Sequence, residues 1–153
     1  MTPDIPRPVL KGKKALVIGV ANDSSIAYGC AKAFRELGAD VAITYLNDKA
    51  KPHVEPLARE LEASLFLPLD VAVPGALERV FEEVAAKWGK LDILVHSIAF
   101  APKEDLQGGL LNCSAEGFAK AMDVSCHSFV RMAKLAAPLM KDGGTMFAMS
   151  YLG

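Results

Sequence analysis

The stretch Lys14–Val20, KALVIGV, followed by Ser25–Leu37, SIAYGCAKAFREL, decides the architecture. The first is a short apolar run that closes on Gly19, the pattern of a strand covered on both faces. The second sets Ile26, Cys30, Ala33, Phe34 and Leu37 along one face of a helix, and Gly38 follows as a stop signal. Outward from this pair the alternation repeats. DVAITYL (40–46), LFLPL (65–69), LDILVHSI (91–98) and GTMFAMSY (144–151) read as strands. His53–Leu61, with Pro52 in its first turn, Ala76–Trp88, stopped by Gly89, and most of Ser114–Met140 read as helices. Ala99–Cys113 reads as a long loop. Strands alternating with helices predict right-handed crossovers and an α/β, doubly wound parallel sheet.

Composition agrees. A chain of 153 residues with 52% hydrophobic and 23% charged residues has the makings of one packed domain and is not disordered. A net charge of −1 and a pI near 6.3 give no basic face for nucleic acid. No run reaches the roughly 18 apolar residues of a membrane span. Residues 1–10 carry three prolines and no apolar core, so they read as an N-terminal arm and not as a signal peptide. Cys30, Cys113 and Cys126 are scattered and odd in number, which predicts reduced thiols, a cytoplasmic location and no metal site.

In open parallel sheets, ligands lie beyond the carboxyl ends of the strands. The residues after each strand are therefore the candidates. After the first comes Gly19-Val-Ala-Asn-Asp-Ser-Ser25, where Gly19 permits a tight exit and Ser24 or Ser25 can cap the helix, leaving its amides for an anion such as a pyrophosphate. A strand-to-helix turn with a serine cap explains the same residues without a ligand. After the second, Leu46 offers neither the acid that binds a ribose diol nor the arginine that favours a 2′-phosphate. Asp70 and Val71 follow the third; the carboxylate suits either an adenine amino group or a turn cap. His96, Ser97, Ile98 and Ala99 follow the fourth. His96 has no neighbouring acid to form a triad and reads as a satisfied buried histidine, while the small residues suit a close-lying cofactor. Tyr151, after the fifth, is suited either to polarise a carbonyl or to pack across the sheet end.

Taken together, Gly19-x5-Ser25-Ile26-Ala27-Tyr28-Gly29, Thr44-Tyr45-Leu46-Asn47-Asp48, Asp70-Val71, Val95-His96-Ser97-Ile98-Ala99-Phe100-Ala101 and Ser150-Tyr151-Leu152-Gly153 resemble the bacterial NADH-dependent enoyl-acyl-carrier-protein reductases. These form a divergent branch of the short-chain dehydrogenase/reductases. The resemblance runs from about Lys11 to the last residue and implies a Rossmann domain over 11–153, NADH as cofactor, and reduction of trans-2-enoyl acyl-carrier-protein thioesters in fatty acid biosynthesis. It further implies that Gly19, Ser25 and Ile26 line the pyrophosphate, Leu46 the adenosine, Asp70 and Val71 the adenine, and Ser97, Ile98 and Ala99 the ribose and nicotinamide. Val124 is implied beside the cofactor, Ala101 beside the substrate, and Tyr151 as the first of two substrate-flanking tyrosines.

There are departures from the family pattern. Leu46 stands where the family often has glutamine, and Ala99 where it often has glycine. The family's second tyrosine and its ribose-binding lysine have no counterpart up to Gly153. The sequence is therefore expected to be the N-terminal part of such an enzyme, its domain incomplete at the C-terminus, and a 153-residue polypeptide is expected to be poorly soluble and inactive. The family's homotetramers use the long helix near Ser114–Met140. Two other readings are a carbonyl reductase of the wider superfamily and a non-enzymatic flavodoxin-like module. The first lacks its TGxxxGxG turn here and the second its acidic cluster.

Overall fold

The computed structural model describes residues 8–151; residues 1–7 of the N-terminal arm, with Leu152 and Gly153, lie outside them. The strands are β1 (Lys14–Ile18), β2 (Asp40–Tyr45), β3 (Leu65–Pro68), β4 (Ile93–His96) and β5 (Thr145–Ala148). They pair in parallel in the order β3-β2-β1-β4-β5. The order reverses between β1 and β4, so the switch point of the sheet lies at the exits of those two strands.

Side chains alternate across each strand and divide the core into two layers. Ala15, Val17, Val41, Ile43 and Val95 face α1 (Ile26–Glu36) and α2 (Lys51–Glu60). Leu16, Ile18, Ala42 and Leu94 face α3 (Ala76–Trp88) and a helix near the C-terminus. Leu16, Leu94 and Met132 are fully buried, each contributing about 1.5–3 kcal/mol through apolar burial. β5 is different: it pairs only with β4 among the described residues, and Phe147 and Met149 stay 44% and 36% exposed.

Two expectations need correction. The buried stripe of α1 is Ala27, Tyr28 and Ala31, with Phe34 half-buried, and Ile26 is 65% exposed. Small residues let α1 approach the sheet closely, and that leaves Ile26 at the rim. The stretch 99–113 is not all loop: it contains α4 (Lys103–Gln107) and a 3-10 turn at Leu110–Asn112. Glu104 and Asp105 favour the positive N-terminal end of α4.

The long C-terminal helical stretch is not one uniform helix. α5 (Ala115–Met122), capped by Ser114, runs into a wide π-type turn at Asp123–His127 and then into α6 (Ser128–Ala136). In the wide turn the Ser128 amide bonds back to the Asp123 carbonyl, five residues earlier. Such turns insert an extra residue into a helix and redirect the side chains around them.

At the amino ends of the strands an ionic cluster ties β1 to β4. The Asp92 carboxylate accepts from the Lys14 amide at 2.8 Å and pairs with Lys90 and Lys13. Burial opposes its charge, but the amide and the two ammonium groups outweigh burial and hold its pKa below the usual aspartate value.

Candidate functional site

Gly19 leaves β1 with φ +109°, a conformation that L side chains rarely adopt. A Cβ built there would sit 1.9 Å from the Ser97 carbonyl oxygen and 3.0 Å from Ile98 Cγ2. The glycine is therefore required by the approach of the β4 exit, in addition to any ligand. Five residues of loop later Ser25 caps α1: its hydroxyl accepts from the Tyr28 amide at 3.4 Å and donates to the Asn22 carbonyl at 2.7 Å. The cap is thus Ser25, not Ser24. Helix geometry leaves the first-turn amides at Ile26 and Ala27 without an intrahelical carbonyl. Gly19 and Ser97 meet at the switch point, and Ser25 and Ile26 open the helix that follows Gly19.

At the other end of the rim, Leu46 is 54% exposed and lines a groove of about 350 Å³ with Leu67, Pro68, Asp70, Arg79 and Glu83. One carboxylate oxygen of Asp70 accepts from the Ala72 amide at 2.9 Å, so its turn-capping role is real and leaves the second oxygen for another donor. Arg79 is distant from Leu46 in sequence, and the absence of an arginine next to Leu46 hid it.

Val71 is buried, and its carbonyl accepts from both Nη atoms of Arg131 on α6, each at 3.1 Å. The same guanidinium pairs with Asp123 at 3.5 Å. Arg131 thereby reaches from the far helix to fix the Asp70–Val71 turn, a contact 60 residues long in sequence that no local pattern announces.

The β4 exit is clamped by the wide turn. Ser125 Oγ accepts from the Phe100 amide at 2.9 Å and lies 3.1 Å from the Phe100 carbonyl, to which it donates. One hydroxyl thus holds the loop that carries Ser97, Ile98 and Ala99. Ile98 and Val124 are half-buried against the same core layer, Ala99 is exposed and Ala101 half-buried. Tyr151 is 97% exposed. His96 is buried, as expected, and its partner is Ser128 at 2.7 Å. Sequence reasoning missed Ser125, Ser128 and Arg131, since serines and an arginine on a helix look like a solvated face. The only available signal was the density of serines at Ser125-Cys126-His127-Ser128, a stretch poor in helix formers.

Residues 19–153 match the family model described as enoyl-(acyl carrier protein) reductase. The chain is 45% identical over 145 residues to the NADH enoyl-acyl-carrier-protein reductase FabI of Haemophilus influenzae, covering 94% of this chain and 55% of that protein. It is 44% identical over 145 residues to the Escherichia coli protein of the same name, covering 94% of this chain and 55% of the relative. Among solved structures, the Anaplasma phagocytophilum reductase in complex with NAD superposes with a TM-score of 0.88 at 43% identity, covering 93% of this chain and 55% of that one. The chain spans about half the length of the curated relatives it matches. A parallel sheet with its switch point at Gly19 and Ser97, and a family match over nearly all of the described residues, place this chain in the enoyl-(acyl carrier protein) reductase family.

Proposed function

We propose that the protein is an NADH-dependent reductase of trans-2-enoyl acyl-carrier-protein thioesters in fatty acid biosynthesis. One observation carries this reading: Gly19 and the Ser97 backbone meet at the switch point beside the Ser25-capped start of α1. The tight turn formed where the two strand exits meet, followed by the first amides of α1, fits a dinucleotide pyrophosphate. When bound, NADH supplies the hydride that adds to the β-carbon; the π electrons shift to the thioester oxygen, and a proton on the α-carbon completes the saturated chain.

The chain's own residues bind and orient. Gly19, Ser25 and Ile26 hold the pyrophosphate through their backbone, while the Ser25 hydroxyl, committed to Asn22 and Tyr28, caps and orients the helix start. Asp70 accepts from the adenine amino group while Val71 packs on the ring and Leu46 covers the adenosine. Ser97, Ile98 and Ala99 border the ribose and nicotinamide, and Val124 closes the site from the helix. The Ala99 methyl narrows the space beside the nicotinamide. Ala101 contacts the substrate thioester. Tyr151, the first of two substrate-flanking tyrosines, polarises the thioester carbonyl through its hydroxyl, an interaction that strengthens when the bound acyl chain excludes water.

Two wider elements belong to the same proposal. Exposed Phe118, Met122 and Val130 on α5 and α6 support a homotetramer built on these helices. Three free cysteines support a cytoplasmic location.

The test is a titration of NADH into the protein, followed by nicotinamide fluorescence, with a crotonyl thioester assay of NADH oxidation. Saturable binding weakened by Ser25→Ala, together with NADH oxidation that needs the enoyl thioester, is the expected result. Absence of both binding and turnover overturns the reading.

A further inference from the structure

His96 and Ser128 form a fully buried polar pair between β4 and the start of α6. Ser128 Oγ lies 2.7 Å from His96 Nε2 and 2.7 Å from the Val124 carbonyl oxygen. A hydroxyl has one hydrogen, so the two short contacts constrain each other. The Val124 oxygen can only accept, so the serine hydrogen points there and its lone pair must accept from a hydrogen on Nε2. The reverse arrangement would leave the Val124 carbonyl without this donor. It would also place a hydrogen on His96 Nδ1, which is buried and has no partner among the described residues. A buried donor without a partner is costlier than a buried ring lone pair. The donor chain therefore runs from His96 to Ser128 to Val124.

This chain ends at the wide turn. Val124 and Ser125 both belong to it, and Ser125 holds Phe100 at the end of the β4 exit loop. His96 opens that same loop. The imidazole ring also stands edge-on to Phe129, 5.4 Å between centroids, which fixes its tilt. Burial pushes its pKa below the ordinary histidine value, against a smaller opposing influence of its own backbone, so the neutral form is favoured.

We propose that His96 is a positioning residue: its Nε2–H, donated to Ser128, sets the register of the wide turn and so holds Val124 and Ser125 against the β4 exit. The consequence for the dinucleotide rests on the function proposed above; the hydrogen-bond chain does not.

The experiment has two arms. In protein with ¹⁵N-labelled histidine, long-range proton–nitrogen correlation at neutral pH reads the His96 tautomer directly. The Nε2–H neutral form is expected; an Nδ1–H form or an imidazolium overturns the proposal. The second arm compares His96→Gln, whose amide nitrogen falls near Nε2, with His96→Asn, whose nitrogen falls near Nδ1, and with Ser128→Ala. Hydrogen exchange of the Phe100 amide reports the Ser125 clamp without any ligand. Exchange is expected to rise about tenfold in His96→Asn and Ser128→Ala and to stay near wild type in His96→Gln, the scale of one lost buried hydrogen bond. NADH affinity is expected to follow the same order. Equal changes in both histidine variants mean that His96 only fills space and overturn the proposal. The expected tautomer and exchange pattern in a chain that binds no NADH would preserve the positioning role and remove the proposed function instead.

Discussion

At the β2–β3 end of the rim, Asp70 caps its own turn through Ala72, and only one distant group, the Arg131 guanidinium, is needed to hold Val71. At the β1–β4 end, Gly19 packs against the Ser97 carbonyl, Ser125 grips Phe100 at both backbone atoms, and Ser128 joins His96 to Val124. The first end is built mostly from neighbours in sequence. The second is assembled across gaps of 25 and 32 residues. Rigidity where hydride transfer is proposed to occur therefore depends on long-range contacts. The adenosine end is left more open, with Leu46 half-exposed over its groove.

Gly19→Ala should break the comparison most severely. The new methyl would meet the Ser97 oxygen at 1.9 Å from a backbone angle it disfavours, so a loss of about 3 kcal/mol in urea denaturation and of detectable NADH binding is expected. A variant as stable as wild type would show that the β1 and β4 exits are not locked together. Arg131→Ala comes next. Removing both donors to the Val71 carbonyl should weaken NADH binding about tenfold in calorimetry, with Arg131→Lys intermediate. Ser125→Ala should cost less, about 1 kcal/mol of stability, because the Phe100 groups lie near solvent and water can replace the hydroxyl.

Acid should separate the two ends of the sheet. His96 has a pKa lowered by burial, so the unfolded chain binds its proton first. Stability should therefore begin to fall as pH drops below about 6.5, and His96→Gln should flatten that limb. Asp92, at the opposite end of β4, has a pKa held low by the Lys14 amide, Lys90 and Lys13 against the cost of its burial. Its contribution is present at neutral pH and is lost only as pH falls below about 4, so Asp92→Asn should alter the lower limb alone. Melting curves across pH check both. The smallest effect is expected from Arg79→Ala. It lines the groove beside Leu46 and Asp70, so its removal should leave NADH affinity within about twofold while weakening any residual NADPH binding.

Much of the fold was legible because it rests on local pattern. Ala76–Trp88 is a helix with the bounds expected of it, stopped by Gly89 in the left-handed conformation. β1 reads as a buried strand and is one. Strand ends were less legible: LDILVHSI narrows to Ile93–His96 because pairing with β1 and β5 ends there, and a partner's length is not written in a strand's own residues. The short α4 was missed because its few residues give too little periodicity to stand out from a loop. Of the candidate site, the exits at Gly19, Asp70 and Ser97 were legible from their place after strands. The supporting serines and Arg131 were not, because a polar residue on a helix looks the same whether it meets water or a carbonyl.

The sequence by itself determined the alternation of strands and helices, the parallel sheet and the family, since hydrophobic period, glycine stops and ordered motifs are properties of short stretches. Only the tertiary structure decided why Gly19 has no substitute, which way the His96 hydrogen points, and that a wide turn in the last long helix holds the β4 exit. Each of these depends on atoms that folding brings within a few ångströms across a long loop of chain, and distance in space is not a property any single segment carries.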